Sequence, residues 1–368
     1  MKHSDWEELP KDGAEASIEP QAERLSTSAR RVVVCVNPKA GPRGSGARGG
    51  QLVAALEARG LDAELLSDLE DACRTARRYH GQASLRALVA VGGDGTAAAV
   101  ANRTPEGLPI ALMPGGNENL LARYLDLDLS PEALAEVIAE GITVRLDAGR
   151  AGDRLFLIMF SAGFDAEVVQ RVHCERRGHI SQLGYLKPIA ETIRSYEYPP
   201  IRIACPAAHP AATSRLGEGE AAPGSGGAGV PRETCRRPGP TGDEEGGPMG
   251  AETTVEARWL FSFNLPCYGG GFRLMPTARG ADGWLDVCVF QGAGWWNALR
   301  LLASVLAGVH TSLSDCVTFR AERLRVESPA RVPYQLDGDP GGYLPVEIEV
   351  VPRRLRLVVP RGRLHRPL

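Results

Sequence analysis

Short β-branched apolar runs, each ending at a loop with glycine or proline and followed by a helical pattern, recur through the first part of this sequence. Three of them are Val32–Val36, Leu85–Val91 and Ile110–Met113. Continuous apolar runs of this length are typical of strands buried on both faces, and their alternation with helices predicts a mostly parallel sheet covered on both sides. The loops then gather at the carboxyl edge of the sheet, where open α/β folds bind ligands.

After Asp147 the pattern changes, because predicted strands follow one another with few helices between them. They are Arg154–Ser161, Ile201–Cys205, Ala257–Asn264, Leu285–Phe290, Val317–Phe319, Arg323–Glu327 and Val346–Val351. Helices are predicted only near Tyr185–Ser195 and Trp295–His310. This succession predicts an antiparallel β domain, a β-sandwich, behind the α/β domain.

These patterns predict two domains with unstructured additions. We expect a disordered tail over 1–29, an α/β domain over 30–147, a β-sandwich domain over 148–358 and a C-terminal tail over 359–368 that could return to the first domain. Residues 206–254 are rich in glycine, proline, alanine and glutamate and nearly lack large apolar side chains. Such a segment cannot bury enough apolar surface to fold, so we expect a disordered insertion.

Composition narrows the class of function. Basic and acidic residues nearly balance, at 42 and 45, which argues against a nucleic-acid-binding protein. The eight cysteines form no CxxC pair, so we expect reduced thiols in a cytoplasmic protein. We expect no signal peptide before Arg31, and no run reaches the ~18 apolar residues of a membrane span, so any lipid would be met from the water side.

The most informative loop is Gly92-Gly93-Asp94-Gly95-Thr96, between a predicted strand and a predicted helix. Its glycines let the backbone approach a phosphate closely, and the N–H groups at the helix start attract negative charge. Asp94 could hold a Mg2+ ion against phosphate oxygens, and Thr96 could cap the helix or donate to phosphate. The alternative is an ordinary tight turn with an aspartate cap.

Two further loops follow neighbouring strands. They are Asn37-Pro38-Lys39-Ala40-Gly41 and Pro114-Gly115-Gly116-Asn117-Glu118-Asn119. Each alone could be a plain turn or a helix cap, but three glycine-containing loops at one sheet edge favour a polyphosphate site. The sequence has no GxxxxGK[ST] loop and no HRD triplet, so this site differs from those of P-loop enzymes and protein kinases.

Six motifs in order resemble those of the diacylglycerol kinase catalytic-domain family, which includes bacterial lipid kinases and the sphingosine and ceramide kinases. They are Asn37-Pro38-x-x-Gly41, GGDGT at 92–96, Pro114-x-Gly116-x-x-Asn119-x-x-Ala122-Arg123, Ala162-Gly163-Phe164-Asp165-Ala166, Asp282-Gly283-x-Leu285-Asp286-Val287 and Asp337-Gly338-Asp339. The resemblance covers about residues 31–358 without the insertion. It implies an α/β domain similar to those of NAD kinases and phosphofructokinases, a C-terminal β-sandwich, and ATP with Mg2+ in the cleft between them.

The resemblance also implies roles for single residues. ATP would be lined by Asn37, Pro38, Lys39, Ala40, Gly41, Ser67, Gly92, Gly93, Asp94, Gly95, Thr96, Ala97, Ala98, Gly116, Asn117 and Asn119. A structural Mg2+ site is implied at Asp282 with the carbonyl groups of Arg279 and Trp284. Asp165 would contact the acceptor, and Asp339 would be the general base.

Three positions depart from the family pattern. Asn117 stands where threonine is usual, Ala40 where serine or threonine is usual, and Asp339 where glutamate is usual. Because the carboxylate of Asp339 is one methylene shorter, the cleft would close further or a water would intervene. The third possibility is that Asp94 is the base, as resemblance to the sphingosine kinases suggests.

Other residues keep two interpretations. Asp165 could instead cap a helix, and Asp147 could be a cleft acid or, as we favour, a strand-end cap. Trp295 and Trp296, with the helix that follows them, could touch a membrane, but we favour packing in the core.

We therefore expect an ATP-dependent phosphotransferase with an alcohol group as acceptor: a lipid kinase acting at the membrane surface on a diacylglycerol or sphingoid-type lipid. Mg2+ is the expected cofactor, and a homodimer is left open. One alternative is an NAD kinase or another small-molecule kinase that shares the GGDG loop. The other is an inactive regulator that binds nucleotide or lipid.

Overall fold

The structure, a computed structural model, describes residues 22–36, 45–116, 118–127, 130–175, 186–205, 209–210, 253–269, 272 and 274–365. The expected tail before residue 22, most of the expected insertion and residues 366–368 lie outside the described residues. Within the described part of the chain, no helix is both long and apolar enough to cross a bilayer.

The first half of the chain alternates strands and helices, as the sequence predicts. In chain order these elements are β1 (Glu23–Arg24), β2 (Arg31–Val36), α1 (Ser45–Glu57), β3 (Asp62–Leu66), α2 (Leu69–Gly81), β4 (Leu85–Gly92), α3 (Asp94–Arg103), β5 (Pro109–Pro114), α4 (Leu120–Tyr124), α5 (Pro131–Glu140) and β6 (Ile142–Ala151). Local sequence explains the helix ends. The Ser130 hydroxyl caps α5 by accepting from the Ala133 N–H, and Gly141 ends this helix in a left-handed conformation.

The parallel part of the sheet has the strand order β5-β4-β2-β3 and is covered on both faces. Alternate side chains of β2 enter different cores. Val33 and Cys35 face the core that includes α2 and α3, whereas Val32 and Val34 face the core that includes α1 and α5. Both faces of the strand are apolar for this reason, which explains its unbroken apolar run.

The second half is mostly strands. In chain order its elements are β7 (Arg154–Phe156), β8 (Met159–Gly163), α6 (Phe164–Glu175), α7 (Leu186–Ser195), β9 (Ile201–Cys205), β10 (His209–Pro210), β11 (Thr253–Ala257), β12 (Trp259–Phe263), β13 (Leu285–Phe290), α8 (Trp295–Leu306), β14 (Cys316–Ala321), β15 (Arg323–Glu327), β16 (Pro333–Leu336), β17 (Asp339–Tyr343) and β18 (Val346–Val358).

These strands form two antiparallel layers. Strands β10, β14, β13, β12, β8, β16 and β17 neighbour one another in the second sheet, while β11, β9, β15 and β18 extend the first. Phe160 and Val287 of one layer share a core with Ile203 and Ile348 of the other. The predicted fold class, a mostly parallel α/β half followed by an antiparallel β-sandwich, is confirmed.

Strand β18 joins the two halves. It pairs antiparallel with β15, where Glu349 lies opposite Arg323, and parallel with β5, where Arg356 lies opposite Pro109. One sheet therefore runs through both halves, with eleven strands among the described residues. The expected domain boundary after Asp147 falls inside β6, which itself pairs with β18.

Both ends of the described chain pack on the first half. The expected tail over 1–29 extends too far, because β1 pairs antiparallel with β6 and Leu25 is buried. Glu23 forms ion pairs with Arg145 and Arg356. These ion pairs help to hold the two-residue strand β1 on the first half, although the sequence around it has no apolar run. After β18, the guanidinium of Arg363 lies 5.4 Å from the centre of the Tyr124 ring.

Helix α8 differs from our expectation. Ala298 and Leu301 are buried, but Trp295 and Trp296 are 48% and 69% exposed. Packing of the two tryptophans in the core was therefore the wrong prediction. At about 100° per residue, Trp296 points away from the buried stripe through Ala298 and Leu301, whereas Trp295 lies closer to that stripe but at the first position of the helix, and it is the less exposed of the two.

Candidate active site

The carboxyl ends of the parallel strands lie level with one another. Val36 of β2 is in register with Val91 of β4, and Gly92 is in register with Pro114 of β5. The turn at 92–96 and the loop at 114–119 therefore leave the same edge of the sheet. Ser67 directly follows β3 at this edge and is exposed. The other predicted loop, Asn37, Pro38, Lys39, Ala40 and Gly41, lies outside the described residues, as does Asn117.

The glycine turn and the next loop touch through their backbones. The Gly115 N–H donates to the Gly92 carbonyl at 2.9 Å. A Cβ atom added to Gly116 would lie only 2.7 Å from the Cα atom of Gly93, closer than real Cβ contacts allow. Gly116 is therefore required for this approach, and a Cβ atom on Gly93 would also be tight, at 3.2 Å from the Cα atom of Gly116.

The side chain of Asp94 holds the two loops together. Its Oδ2 accepts from the Leu120 N–H at 2.9 Å and its Oδ1 accepts from the Leu121 N–H at 3.0 Å. The carboxylate thus caps the start of α4 from the neighbouring loop. Burial raises the pKa of Asp94, and these backbone hydrogen bonds oppose that shift by stabilising the charged form. Because both oxygens already accept hydrogen bonds, the geometry favours a positioning role over the two chemical roles considered for Asp94.

Asn119 closes the second loop on itself. Its Oδ1 accepts from the Gly116 N–H at 2.9 Å, and its Nδ2 donates to the Gly116 carbonyl at 2.8 Å. Its left-handed backbone, with φ of 47°, makes this closure possible. Thr96 and Ala97 are buried beneath the turn and Ala98 is partly buried, so their contribution to a bound nucleotide would come from the backbone at the start of α3.

Arg48 adds a positive charge at this edge, and the sequence analysis missed it. Its Nη1 donates to the Pro114 carbonyl at 2.8 Å, just before Gly115 and Gly116. It is the one arginine of α1, the helix that follows the first predicted phosphate loop. That position was the available signal, since a guanidinium near the start of such a helix suits phosphate oxygens.

The opposite wall comes from the turn between β16 and β17. The carboxylate of Asp337 accepts from three backbone N–H groups, those of Leu157 (2.7 Å), Ile158 (2.8 Å) and Met159 (3.0 Å). Burial raises the pKa of Asp337 to about 6, although these hydrogen bonds oppose the shift. Asp337 therefore holds the turn, and Asp339 extends from it. The Oδ2 of Asp339 lies 3.7 Å from the place that a Cβ atom on Gly95 would occupy.

Asp165 lies in a buried polar network next to this turn. It is the second residue of α6 and accepts hydrogen bonds from the hydroxyl groups of Ser161 and Tyr268 and from Nε2 of Gln335 at 3.2 Å. Burial raises its pKa, and the three hydrogen bonds oppose the shift. Among the described residues the Asp165 carboxylate binds these three side chains and no backbone N–H of α6, so the geometry favours the substrate-side interpretation over the helix cap.

Comparison with known families decides which kind of site this is. The family model for the diacylglycerol kinase catalytic domain matches residues 31–151. The model for the YegS C-terminal NAD kinase beta sandwich-like domain matches residues 248–359. The chain belongs to the diacylglycerol kinase catalytic-domain family.

Relatives of this family member agree. A diacylglycerol kinase of Mycobacterium tuberculosis is 28% identical over 283 residues, which cover 75% of this chain and 77% of that protein. A diacylglycerol kinase of Bacillus subtilis is 22% identical over 281 residues, covering 75% and 78%. A crystal structure of a diacylglycerol kinase from Bacillus anthracis str. Sterne has a TM-score of 0.60 at 19% identity and covers 90% of this chain and 98% of that chain, which supports the fold.

The metal site that the resemblance implies lies in a second acidic region of this family member. The Oδ2 atoms of Asp282 and Asp286 are buried and accept no hydrogen bond. The guanidinium of Arg320 lies 3.8 Å from Oδ2 of Asp282 and 3.2 Å from Oδ1 of Asp286. Burial raises the pKa of Asp282 to about 6. Two oxygens of this kind suit Mg2+, although the described residues contain no group of three acidic, histidine or cysteine side chains arranged for a metal.

Asp147 borders this region and binds two backbone N–H groups. Its Oδ1 accepts from the Arg353 N–H at 2.6 Å and its Oδ2 accepts from the Gly283 N–H at 2.8 Å. Both oxygens thus bind backbone N–H groups of the second half. Asp147 lies inside β6 and not at its end, so the strand-end cap that we favoured is not the observed arrangement. By fixing Gly283, Asp147 also fixes the loop that carries Asp282, with Arg279 and Trp284 on either side of it. The unbonded oxygen of Asp282 is compatible with a metal ligand, and the metal site at Asp282 with the carbonyl groups of Arg279 and Trp284 stays a prediction.

Proposed function

We propose that this family member is an ATP-dependent kinase that phosphorylates the hydroxyl group of a lipid. The position of Asp339 opposite the glycine turn carries the proposal, since its Oδ2 is 3.7 Å from the place of a Cβ atom on Gly95. A phosphate bound to the amides of that turn would lie beside a carboxylate from the other half of the chain. Phosphoryl transfer depends mainly on such positioning and on neutralising charge.

The proposed step is a direct transfer. The acceptor oxygen forms a bond to the γ-phosphorus of ATP while the bond from that phosphorus to the β,γ-bridging oxygen breaks. ADP leaves with the electron pair of the broken bond, and the hydroxyl proton passes to the Asp339 carboxylate, directly or through one water. Asp339 then releases the proton to solvent.

Asp339 suits the role of base better than Asp94 does. Both carboxylate oxygens of Asp94 accept backbone N–H groups of α4, and taking a proton would remove the charge that strengthens those hydrogen bonds. Asp339 lies at the start of β17 and faces the glycine turn from the other wall. Because it is shorter than glutamate, a further closure of the cleft or one bridging water would complete its contact with the acceptor.

The amide-rich edge of the sheet would hold the phosphates of ATP. The turn at 92–96 meets Gly115 and Gly116 there through the contact of Gly93 with Gly116, and Arg48 supplies a guanidinium close by. Mg2+ bound with the nucleotide would supply neutralisation of phosphate charge. Asp282 would hold a separate, structural ion. That ion would stabilise the loop at Asp282, which Asp147 also holds through Gly283.

The acceptor would lie on the side of Asp165. This carboxylate is joined to the base-bearing turn through Gln335, which also bonds Gly338. A hydroxyl group presented between Asp165 and Asp339 would have a carboxylate on each side. The proposal covers a diacylglycerol or a sphingoid-type lipid.

The exposed tryptophans of α8 support access to the lipid at a membrane surface. The Trp295 and Trp296 rings stack with centroids 4.0 Å apart, and Leu299, Leu302 and Val309 are also exposed. Tryptophan rings favour the boundary between water and lipid, and an apolar helix face of this kind can lie in that boundary. We propose a cytoplasmic protein that reaches the bilayer with this face.

Replacing Trp296 tests the membrane part of the proposal. Trp296→Ser should lower sedimentation with phospholipid vesicles severalfold and leave phosphorylation of a short-chain, water-soluble acceptor unchanged. The matched control is Leu65→Ser, because Leu65 is also exposed, at 42%, but lies on β3 in the other half. Equal vesicle binding by the two variants would contradict the role of α8.

The function itself is tested with labelled ATP. The purified protein is incubated with ATP that carries a labelled γ-phosphate. Four acceptors are tested in separate reactions: a total lipid extract, diacylglycerol, sphingosine and NAD. The proposal expects label in a lipid phosphate and none in NADP. Label only in NADP would support the NAD kinase alternative, and ATP binding without transfer to any acceptor would support the regulator.

A further inference from the structure

The turn that carries Asp339 is held at two points. The first is Asp337, whose carboxylate accepts the three backbone N–H groups before β8 and at its start. The second is Gln335 of β16, whose Oε1 accepts from the Gly338 N–H at 2.7 Å. Gly338 has a positive φ of 87° and is the residue directly before Asp339. The hydrogen bond to Gln335 therefore acts on the peptide next to the proposed base.

The other end of the Gln335 amide points away from the turn. Its Nε2 donates to the Ser161 Oγ at 2.9 Å and to the Asp165 Oδ2 at 3.2 Å. The orientation of the amide follows from chemistry, because only its carbonyl oxygen can accept the Gly338 N–H. With its oxygen lone pair facing Gln335, the Ser161 hydroxyl directs its own hydrogen to Asp165.

Burial makes this network selective for one arrangement. Gln335 is 1% exposed and Ser161 is 0% exposed, so neither can replace a lost partner with bulk water. Breaking a buried polar contact leaves an unsatisfied group, which costs more than an exposed contact would. Strands β8 and β16 also pair at this level, with Ser161 opposite Gln335, so the backbone fixes the spacing of the two side chains.

We propose that Gln335 is a positioning residue for phosphoryl transfer, which sets the turn that carries Asp339 and joins this turn to Asp165 on the acceptor side. The inference rests on the proposed function, because Gln335 acts through Asp339 and does not itself contact ATP or acceptor. An acceptor that contacts Asp165 is thereby linked to the base through one amide group. A displacement of a catalytic group by about 1 Å can lower a rate by about a hundredfold.

Gln335→Glu tests this inference with little change in shape. A glutamate still accepts the Gly338 N–H, but its ionised form has no hydrogen to give Ser161 and Asp165 and places a second negative charge beside Asp165. We expect a fall in kcat of about tenfold at neutral pH, with the Kd for ATP unchanged within about twofold. When the glutamic acid is protonated its O–H can replace the lost donor. The ratio of variant to unmodified kcat should therefore rise as the pH is lowered.

Thr192→Val is the structural control, because the Thr192 hydroxyl is also buried and donates to a carbonyl, that of Pro188, on the distant helix α7. The kcat of this variant should equal that of the unmodified protein, and the ratio of the two kcat values should not change with pH. A flat ratio for Gln335→Glu, or an equal loss in Thr192→Val, would overturn the inference. If Gln335→Glu does not fold, Gln335→Met replaces it: loss of kcat with normal ATP binding supports the inference, and equal loss of both contradicts it.

Asp339→Ala separates this inference from the proposed function. If Asp339→Ala lowers kcat but the Gln335→Glu ratio is flat, the positioning role alone fails. If Asp339→Ala turns over like the unmodified protein, the assignment of the base fails and the inference fails with it.

Discussion

Two acids of the cleft, Asp94 and Asp339, differ in what their carboxylates contact. Asp94 accepts the N–H groups of Leu120 and Leu121, while Asp339 faces Gly95 from the opposite wall. A carboxylate that caps a helix contributes by ordering the loop before it, and one that faces the substrate site can accept a proton. Replacing Asp94 should therefore lower stability and ATP affinity, whereas replacing Asp339 should lower the rate of transfer.

Replacing Asp94 should weaken the loop and spare the proton transfer. Asp94→Ala leaves the N–H groups of Leu120 and Leu121 without their acceptor, at a cost of about 1–3 kcal/mol of unfolding free energy. Asp94→Asn keeps one acceptor oxygen, so we expect partial recovery of stability and ATP affinity. Denaturant unfolding and ATP titration check this. A larger loss of kcat in Asp94→Asn than in Asp339→Ala would contradict the assignment.

The raised pKa of Asp337 predicts a pH dependence of stability. Its pKa is about 6 in the native chain, against an ordinary value of ~4 in an unfolded chain. Between these values the native chain binds the proton more tightly, so the unfolding free energy falls as the pH rises from ~4 to ~6 and then levels off. Asp337→Asn cannot titrate and should show a flatter profile in denaturant unfolding. An unchanged slope would show that another group is responsible.

The acidic region at Asp282 predicts a response to Mg2+. Its Oδ2 accepts no hydrogen bond and has the Arg320 guanidinium 3.8 Å away, so Mg2+ bound at this oxygen should raise the Tm of the unmodified protein, and chelation should reverse the rise. Asp282→Asn should reduce this rise to a small fraction. Asp315→Asn is the control, because Asp315 pairs with Arg300 outside the region. Equal responses of the two variants to Mg2+ would exclude Asp282 as a ligand.

At the scale of elements, the site depends on two strand-to-helix connections that touch. The turn from β4 to α3 and the loop from β5 to α4 approach so closely that Gly116 leaves no space for a Cβ atom. Asp94 joins the two connections through the N–H groups of Leu120 and Leu121, while Asn119 closes the second loop on itself. A phosphate site of backbone amides needs this approach, because each amide contributes only if it points to the same place.

Gly116→Ala should separate the two connections. Its Cβ atom would lie 2.7 Å from the Gly93 Cα atom, and overpacking of this kind typically costs about 1–3 kcal/mol. We expect ATP affinity to fall by about tenfold or more. Gly50→Ala in α1 is the matched control, since its Cβ atom would meet nothing within 4 Å and alanine stabilises a helix by about 0.5–1 kcal/mol. Equal ATP affinity of the two variants would contradict the amide site.

At the scale of the whole molecule, β18 joins the two halves of the chain in one sheet. It pairs with β15 in the second half and with β5, beside the glycine turn, in the first. The turn that carries Asp339 belongs to the second sheet, and β17 leads from this turn directly into β18. Chain continuity from β17 to β18 therefore connects the wall that carries Asp339 with the sheet that carries the glycine turn.

The sequence predicted those parts of the molecule that depend on local pattern. The apolar runs of β2, β4 and β5 predicted the parallel sheet, and the glycine loops after β4 and β5 do leave one edge. The antiparallel second half was predicted as well, because a succession of strand patterns with few helices between them can also be recognised in the local sequence.

The parts that sequence reasoning missed depend on distant partners. Asp94 caps a helix that begins 26 positions later, and Gln335 bonds Asp165 across 170 positions, which no local pattern records. Glu23 was placed in a tail because its partners are arginines far along the chain. The tryptophans of α8 were misplaced because composition indicates apolar character and not which side of a helix is covered.

The central claim is that Asp339 accepts the proton of a hydroxyl group attacking a phosphate bound at the glycine turn. Single-turnover transfer of the labelled γ-phosphoryl group by Asp339→Ala, measured beside equilibrium ATP binding, tests it most directly. We predict that the transfer rate falls by about a hundredfold or more while the Kd for ATP stays within about twofold. Transfer at the unmodified rate, with ATP still bound, would contradict the account.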